Sequence, residues 1–232
     1  MTATISKRMK QAKSLVDPVK VYTLAEAVSI LKKAPQPKFD QSVEISIKLG
    51  LDITEKPQPV RGTVVLPHGT GKSVKVLVFC KEKDIQPAKD AGADFAGDAD
   101  IIKKVNDGFL DFNVAIATPD MMKDLARLGK VLGPRGLMPT PKAGTVTPDV
   151  VKAVKEAKRG KVEFKMDKTA CINMAVAKIS FEENSICENI RSLIHAVKNS
   201  KPANVKGQFI KSISISTTMG PGARLDQAEF NK

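Results

Sequence analysis

The sequence predicts an α/β protein of two domains. One is a discontinuous α+β domain built from both ends of the chain, 1–69 plus 160–232; the other is a smaller α/β domain inserted at 70–159. Three observations predict it. Strand-like segments near both termini alternate apolar and polar residues, as a sheet with one wet face requires, whereas those in the middle are nearly continuous apolar runs, as in a sheet covered on both sides. The middle segments also alternate with helical patterns, which argues for a parallel sheet with right-handed crossovers. Charge divides along the same line: 70–159 holds 16 basic and 12 acidic residues, against 22 and 13 in the rest of the chain.

In chain order, a basic helix is expected at about 4–13. A second opens at Thr23, where Thr23-Leu24-Ala25-Glu26 fits a capping box, and ends before Pro35-Gln36-Pro37. Residues 41–49 alternate, with Val43, Ile45, Ile47 and Leu49 on one side and Glu44, Ser46 and Lys48 on the other. Val60–Leu66 is another strand candidate. Val74–Phe79 and Phe112–Ala117 are the covered strands, and helices run from Asp84 to about Gly92 and from Asp98 to Gly108. Thr118-Pro119 supplies an N-cap and a first-turn proline for a helix ending at Gly129, and Thr147-Pro148 repeats the device for a helix through Lys158. Strands follow at Lys161–Met166 and Cys171–Ala177. An amphipathic helix spans 184–199 with Ile186, Ile190, Leu193, Ile194 and Val197 inward, and 208–217 alternates again. From Gly220 the chain is Gly/Pro-rich and then polar, with no further element expected.

The balance of charge narrows the function. With 38 Lys+Arg against 25 Asp+Glu, a net of +13 and a pI near 9.6, a polyanionic partner is expected. A membrane is disfavoured: no apolar run reaches the roughly 20 residues of a span, and the basic N-terminus lacks both a signal-like hydrophobic stretch and the apolar face of an interfacial helix. The three cysteines, Cys80, Cys171 and Cys187, show no metal-ligand spacing and suit a reducing cytoplasm, and His68 and His195 form no local zinc motif. No catalytic constellation emerges, so neither an enzyme nor a cofactor is expected.

Several motifs admit two readings. Gly69-Thr70-Gly71-Lys72-Ser73 resembles the end of a phosphate-binding loop, but Leu66 stands where the loop needs its first glycine, and an apolar strand follows instead of a helix. A hinge near 67–71 and 158–160, with Gly69, Gly71 and Gly160 absorbing the backbone angles, is the better account. Residues 129–145 form a long segment with three prolines and four glycines, expected to hold its shape without regular structure and to display Lys130, Arg135 and Lys142 as a secondary RNA contact; a solvated connection is the alternative. In Lys38-Phe39-Asp40, composition favours Phe39 as core, though beside Lys38 it suits packing on ribose. Asp167-Lys168-Thr169 reads as a hairpin turn, and Thr217-Thr218-Met219-Gly220 as a strand end running into a turn.

Taken together, four stretches resemble the bacterial form of the large-subunit ribosomal protein L-one family: Arg61-Gly-Thr-Val-Val-Leu-Pro-His-Gly-Thr-Gly-Lys72, Lys130-Val-Leu-Gly-Pro-Arg-Gly-Leu-Met-Pro-Thr-Pro-Lys-Ala-Gly-Thr-Val146, Glu163-Phe-Lys-Met-Asp-Lys-Thr169 and Thr217-Thr-Met-Gly220. The similarity runs from about Lys7 to Arg224. It implies an antiparallel sheet backed by helices in the terminal domain and a Rossmann-like inserted domain without a dinucleotide fingerprint, hence no cofactor. It also implies a place in the large ribosomal subunit in the cytoplasm, binding the stalk of the 23S rRNA, assisting release of deacylated exit-site tRNA and repressing the protein's own operon through its mRNA leader. No membrane and no small-molecule substrate are implied. The rRNA-contact positions it implies are Lys38, Phe39, Asp40, Glu44, Asp167, Lys168, Thr169, Ser212, Thr217, Thr218, Met219 and Gly220. Phe39 then becomes a contact residue.

Overall fold

A computed structural model describes residues 6–51, 60–202 and 207–230. In chain order the elements are α1 (Lys7–Ser14), β1 (Val21–Tyr22), α2 (Leu24–Lys33), β2 (Ser42–Leu49), β3 (Arg61–Val65), β4 (Val76–Phe79), α3 (Glu82–Asp90), β5 (Phe95–Gly97), α4 (Ala99–Asn106), β6 (Val114–Ala117), α5 (Met122–Leu125), α6 (Gly129–Leu132), α7 (Val150–Lys158), β7 (Lys161–Lys165), β8 (Cys171–Lys178), α8 (Glu183–Asn199), β9 (Ile210–Thr217) and β10 (Ala223–Leu225). Residues 4 and 5 of the first expected helix lie outside the described residues. The chain divides into two compact units: Met1–Gly71 with Phe164–Lys232, and Lys72–Glu163.

The first unit is organised by a five-stranded sheet in the order β1-β10-β9-β2-β8. Period-two alternation in β2 sends Val43, Ile45, Ile47 and Leu49 into the core and leaves Glu44 and Lys48 exposed. The buried side is covered by α2 and α8. The predicted capping box holds: Thr23 Oγ1 accepts from Glu26 N while the Glu26 carboxylate accepts from Thr23 N. All five predicted inward residues of α8 are buried, joined by Asn189. Two features depart from expectation. The sheet is mixed, because β1 and β10 pair in parallel at Val21↔Arg224 and Tyr22↔Leu225 while its other pairs are antiparallel. The residues after Gly220 are also not all irregular, since β10 threads between β1 and β9.

The crossover out of this unit is fastened. Asn189, fully buried on α8, accepts from His68 N at 3.1 Å and donates to Gly69 O and Val176 O, both at 2.9 Å. Gly71 has φ 72°, and a β-carbon there would press on Lys178 and Phe181.

The second unit carries a three-stranded parallel sheet in the order β5-β4-β6. β4 is buried at every position. Leu77 and Phe79 pack with Val105, Leu125 and Leu128 on one side of the sheet; Val76, Val78 and Cys80 pack with Ala88, Val150 and Val154 on the other. That double covering is what the continuous apolar run foretells. Two helix starts and one helix end differ from expectation. The helical run after Thr118-Pro119 passes through Gly129 to Leu132, and no Thr118 side-chain cap forms. At the later start, Asp149 caps α7 by accepting from Lys152 N at 3.1 Å, while Thr147 Oγ1 accepts from Asp149 N. Asp149 directly precedes the helix, so its carboxylate meets the third amide, whereas Thr147 stands two residues upstream and reaches only Asp149 N.

Candidate nucleic-acid interface

The side of the five-stranded sheet away from α2 and α8 is built in registered rows. Glu44 stands between Ala175 and Ser216, Ser46 between Asn173 and Ser214, and Lys48 between Cys171 and Ser212. The flanking positions are serine, alanine, cysteine and asparagine, so the face is flat and rich in small polar groups. Such a surface suits ribose hydroxyls and phosphates, which reward close approach more than long reach.

One rim is set by clasps between the start of β2 and the end of β9. Thr218 N donates to Ser42 O and Ser42 N donates to Thr218 Oγ1, each at 3.1 Å. Met219 N donates to Gln41 Oε1 at 2.9 Å, and Gln41, only 1% exposed, gives its amide proton to Gln36 Oε1. Gly220 N turns back to Thr217 O at 3.0 Å, and a β-carbon on Gly220 would collide with the Thr217 hydroxyl. Thr217 itself is buried, so its hydroxyl belongs to the turn. Asp40 is committed as well: its carboxylate accepts from Ser180 Oγ at 2.9 Å and Ser180 N at 3.3 Å, and its carbonyl accepts from Lys178 Nζ. These bonds leave two large apolar side chains in the open, Phe39 at 51% and Met219 at 45% exposure, against the composition-based expectation that Phe39 closes the core.

The opposite rim is the 167–169 turn. β7 and β8 pair in different sheets, so this is not the expected hairpin. Asp167 Oδ1 accepts from Thr169 N at 2.8 Å, Thr169 Oγ1 at 2.7 Å and Cys171 N at 2.8 Å. Backbone donation from Cys171, then the Thr169 hydroxyl, holds the Asp167 carboxyl below its usual range. Ala170 takes φ 57°, and its carbonyl accepts from Leu49 N at 2.8 Å, tying the turn to β2. Lys168 and Thr169 are exposed.

The structure therefore brings Lys38, Phe39, Asp40, Thr217, Thr218, Met219 and Gly220 to one end of the face, and Asp167, Lys168, Thr169 and Ser212 to the other, with Glu44 between. Glu44 and the Ser212 row are four residues apart along β2, about 13 Å. Gln41 is the residue that sequence reading missed, because a glutamine before a strand carries no signal until its buried amide is seen holding Met219.

Residues 31–221 match the family described as the Ribosomal protein L1p/L10e family. The chain belongs to that family. It is 54% identical over 224 residues to the large ribosomal subunit protein uL1 of Protochlamydia amoebophila, spanning 97% of this chain and 95% of the relative. It is 53% identical over 228 residues to that of Thermosipho melanesiensis, covering 98% of each chain. It is 50% identical over 224 residues to that of Chlamydia trachomatis, covering 97% of each.

In this L1p/L10e family member the 129–145 segment is not the irregular loop expected from its prolines and glycines. It contains α6 and a short 3-10 turn at Pro141–Ala143, and Leu132, Leu137 and Met138 pack on the core of the second unit. Lys130 and Arg135 are both exposed, while the Lys142 side chain lies outside the described residues. The phosphate-loop resemblance at Gly69–Ser73 leads into β4 and not into a helix. Among the described residues no group of His, Cys, Asp and Glu could hold a metal ion, and no helix is long and apolar enough to cross a membrane.

Proposed function

We propose that this L1p/L10e family member is a non-enzymatic component of the large ribosomal subunit that grips the stalk region of the 23S rRNA on the open sheet face of its terminal domain. The observation that supports it best is the rim geometry: Phe39 and Met219 are held out by a lattice of backbone clasps at one end of a flat hydroxyl-bearing surface. A-form RNA hides its base edges in a deep major groove, so binding falls on 2′-hydroxyls, phosphates and unpaired bases. Glu44, Ser212 and the exposed Thr218 and Thr169 offer the polar partners; Phe39 and Met219 offer packing surfaces; Lys38 and Lys168 add charge. Thr217, Gly220, Asp40 and Asp167 act as positioning residues.

The same reading assigns the discontinuous domain 1–69 plus 160–232 to rRNA binding and the inserted domain 70–159 to a subsidiary role, with Lys130, Arg135 and Lys142 as a secondary RNA contact. The hinge is placed at 67–71 and 158–160. Positive φ at Gly69, Gly71 and Gly160 supports it, since such backbones favour glycine. Family membership supports two further roles: assisting release of deacylated tRNA from the exit site, and repressing the protein's own operon at the mRNA leader, where an RNA of similar shape would occupy the same face. The site of action is the cytoplasmic ribosome.

Filter binding to a stalk-rRNA fragment tests the core of this. Met219→Ala is expected to weaken binding at fixed salt with the fold intact by circular dichroism. With roughly five phosphates neutralised, log K should fall against log salt with a slope of about −4. Unchanged affinity in Met219→Ala and Phe39→Ala together would remove the rim from the site.

A further inference from the structure

The outward side of α7 carries a row of cations that the sheet face does not account for. Successive helical residues turn by about 100°. Val150, Ala153, Val154 and Ala157 therefore form the buried stripe, and Lys152, Lys155 and Arg159 fall within an arc of about 60° on the opposite side. All three are exposed. They span about 10 Å along the helix axis.

The nearby carboxylates are already committed. Residues 127–159 hold eight basic residues and two acidic ones, Asp149 and Glu156. Asp149 caps α7 by accepting from Lys152 N, and Glu156 pairs with Lys161 at 2.9 Å. The adjacent Asp94 accepts from Lys158 Nζ at 2.9 Å and Val76 N at 2.8 Å. Among the described residues, none of Lys152, Lys155 and Arg159 takes part in an ion pair. Like charges at three- and four-residue spacing repel one another, and a docked polyanion relieves that repulsion. No aromatic residue is interleaved, so the chemistry is that of a phosphate backbone and not of base stacking.

We propose that the outward face of α7 is a second RNA-binding surface, in which Lys152, Lys155 and Arg159 engage the phosphate backbone of a structured RNA distinct from the one held on the sheet face. The proposal rests on the rRNA reading of that face only in calling this RNA the second. It adds the outward face of α7 to the exposed Lys130 and Arg135 already assigned to the inserted unit's RNA contact.

The test uses the full chain with deacylated tRNA and a stalk-rRNA fragment as separate probes, titrated between 50 and 200 mM salt. The doubly substituted Lys152→Glu, Lys155→Glu protein is compared with Lys103→Glu, Lys104→Glu. The second pair makes the same charge change at exposed positions on α4, where Asp100 and Asp107 already temper the field. The α7 protein should lose roughly tenfold in tRNA affinity, with the salt slope falling by about one for each phosphate no longer neutralised. Its stalk-rRNA affinity should stay within about twofold, and the α4 protein should bind both RNAs nearly as the parent does. Equal behaviour of the two variants towards tRNA, or loss of stalk-rRNA binding in the α7 variant, would overturn the proposal. Parent protein that binds tRNA but ignores stalk rRNA would instead sink the sheet-face reading and leave this one standing.

Discussion

The carboxamide of Asn189 donates to the carbonyl of Gly69 at 2.9 Å, from a position on α8 that water does not reach. One side chain thereby decides where the crossover stops being part of the first unit. Asn189→Leu keeps the volume but strands His68 N–H and the carbonyls of Gly69 and Val176. Loss of about 2–3 kcal/mol is expected, since buried groups left without partners cost far more than the bonds contribute net. Denaturant melts check the stability, and hydrogen exchange at His68 should accelerate more than elsewhere in the unit.

Thr218 is expected to matter through its hydroxyl, not its methyl. Thr218→Ser keeps the acceptor for Ser42 N, whereas Thr218→Ala and Thr218→Val remove it and free the turn that presents Met219. RNA affinity should fall several-fold for Ala and Val and stay close to the parent for Ser, with changes in the melting temperature of a few degrees at most. Equal affinities across the series would uncouple the clasp from binding.

Acid should loosen the 167–169 turn before the rest of the sheet. The Asp167 carboxyl titrates below its usual value because Cys171 N and the Thr169 groups donate to its charged form. A depressed folded-state value means the stabilisation is present above the unfolded value, about pH 4, and is lost as pH falls through the folded one. Amide resonances of Thr169 and Cys171 should therefore shift below about pH 4 in the parent and not in Asp167→Asn.

The thiols should separate by reactivity. Cys80 is fully buried at the end of β4, and burial, with Asp84 and Asp98 nearby, pushes its pKa up to about 11. Thiolate is the reacting species. At pH 8 iodoacetamide should modify the half-exposed Cys171 and leave Cys80 untouched until the second unit unfolds, as peptide mapping would show.

What the residue pattern reveals depends on how local its cause is. The alternation in β2, the capping box at Thr23 and the inward stripe of α8 are written within a few neighbouring residues, and the structure reproduces each. β1 and β10 are two- and three-residue strands that exist only because Val21 and Arg224 meet from opposite ends of the chain, so no window of sequence displays them. Thr147 and Asp149 show the limit of capping rules when two candidates compete within three residues. At the candidate site, family resemblance nominates the residues, but not which of them face outward. Asp167 and Asp40 are polar enough to suggest RNA partners, yet Asp167 accepts from Thr169 and Cys171 beside it and Asp40 from the distant Ser180.

β2 is flanked on both sides by strands made far later, Cys171–Lys178 and Ile210–Thr217. A ribosome emits the chain from its N-terminus, so β2 waits without ladder partners while the whole inserted unit, which is continuous in sequence, is made and can fold on its own. The outward rows of this sheet are completed only when Thr217 and Gly220 have emerged. On the proposed reading, the sheet face that would meet RNA is incomplete in any nascent copy that has not yet reached Gly220.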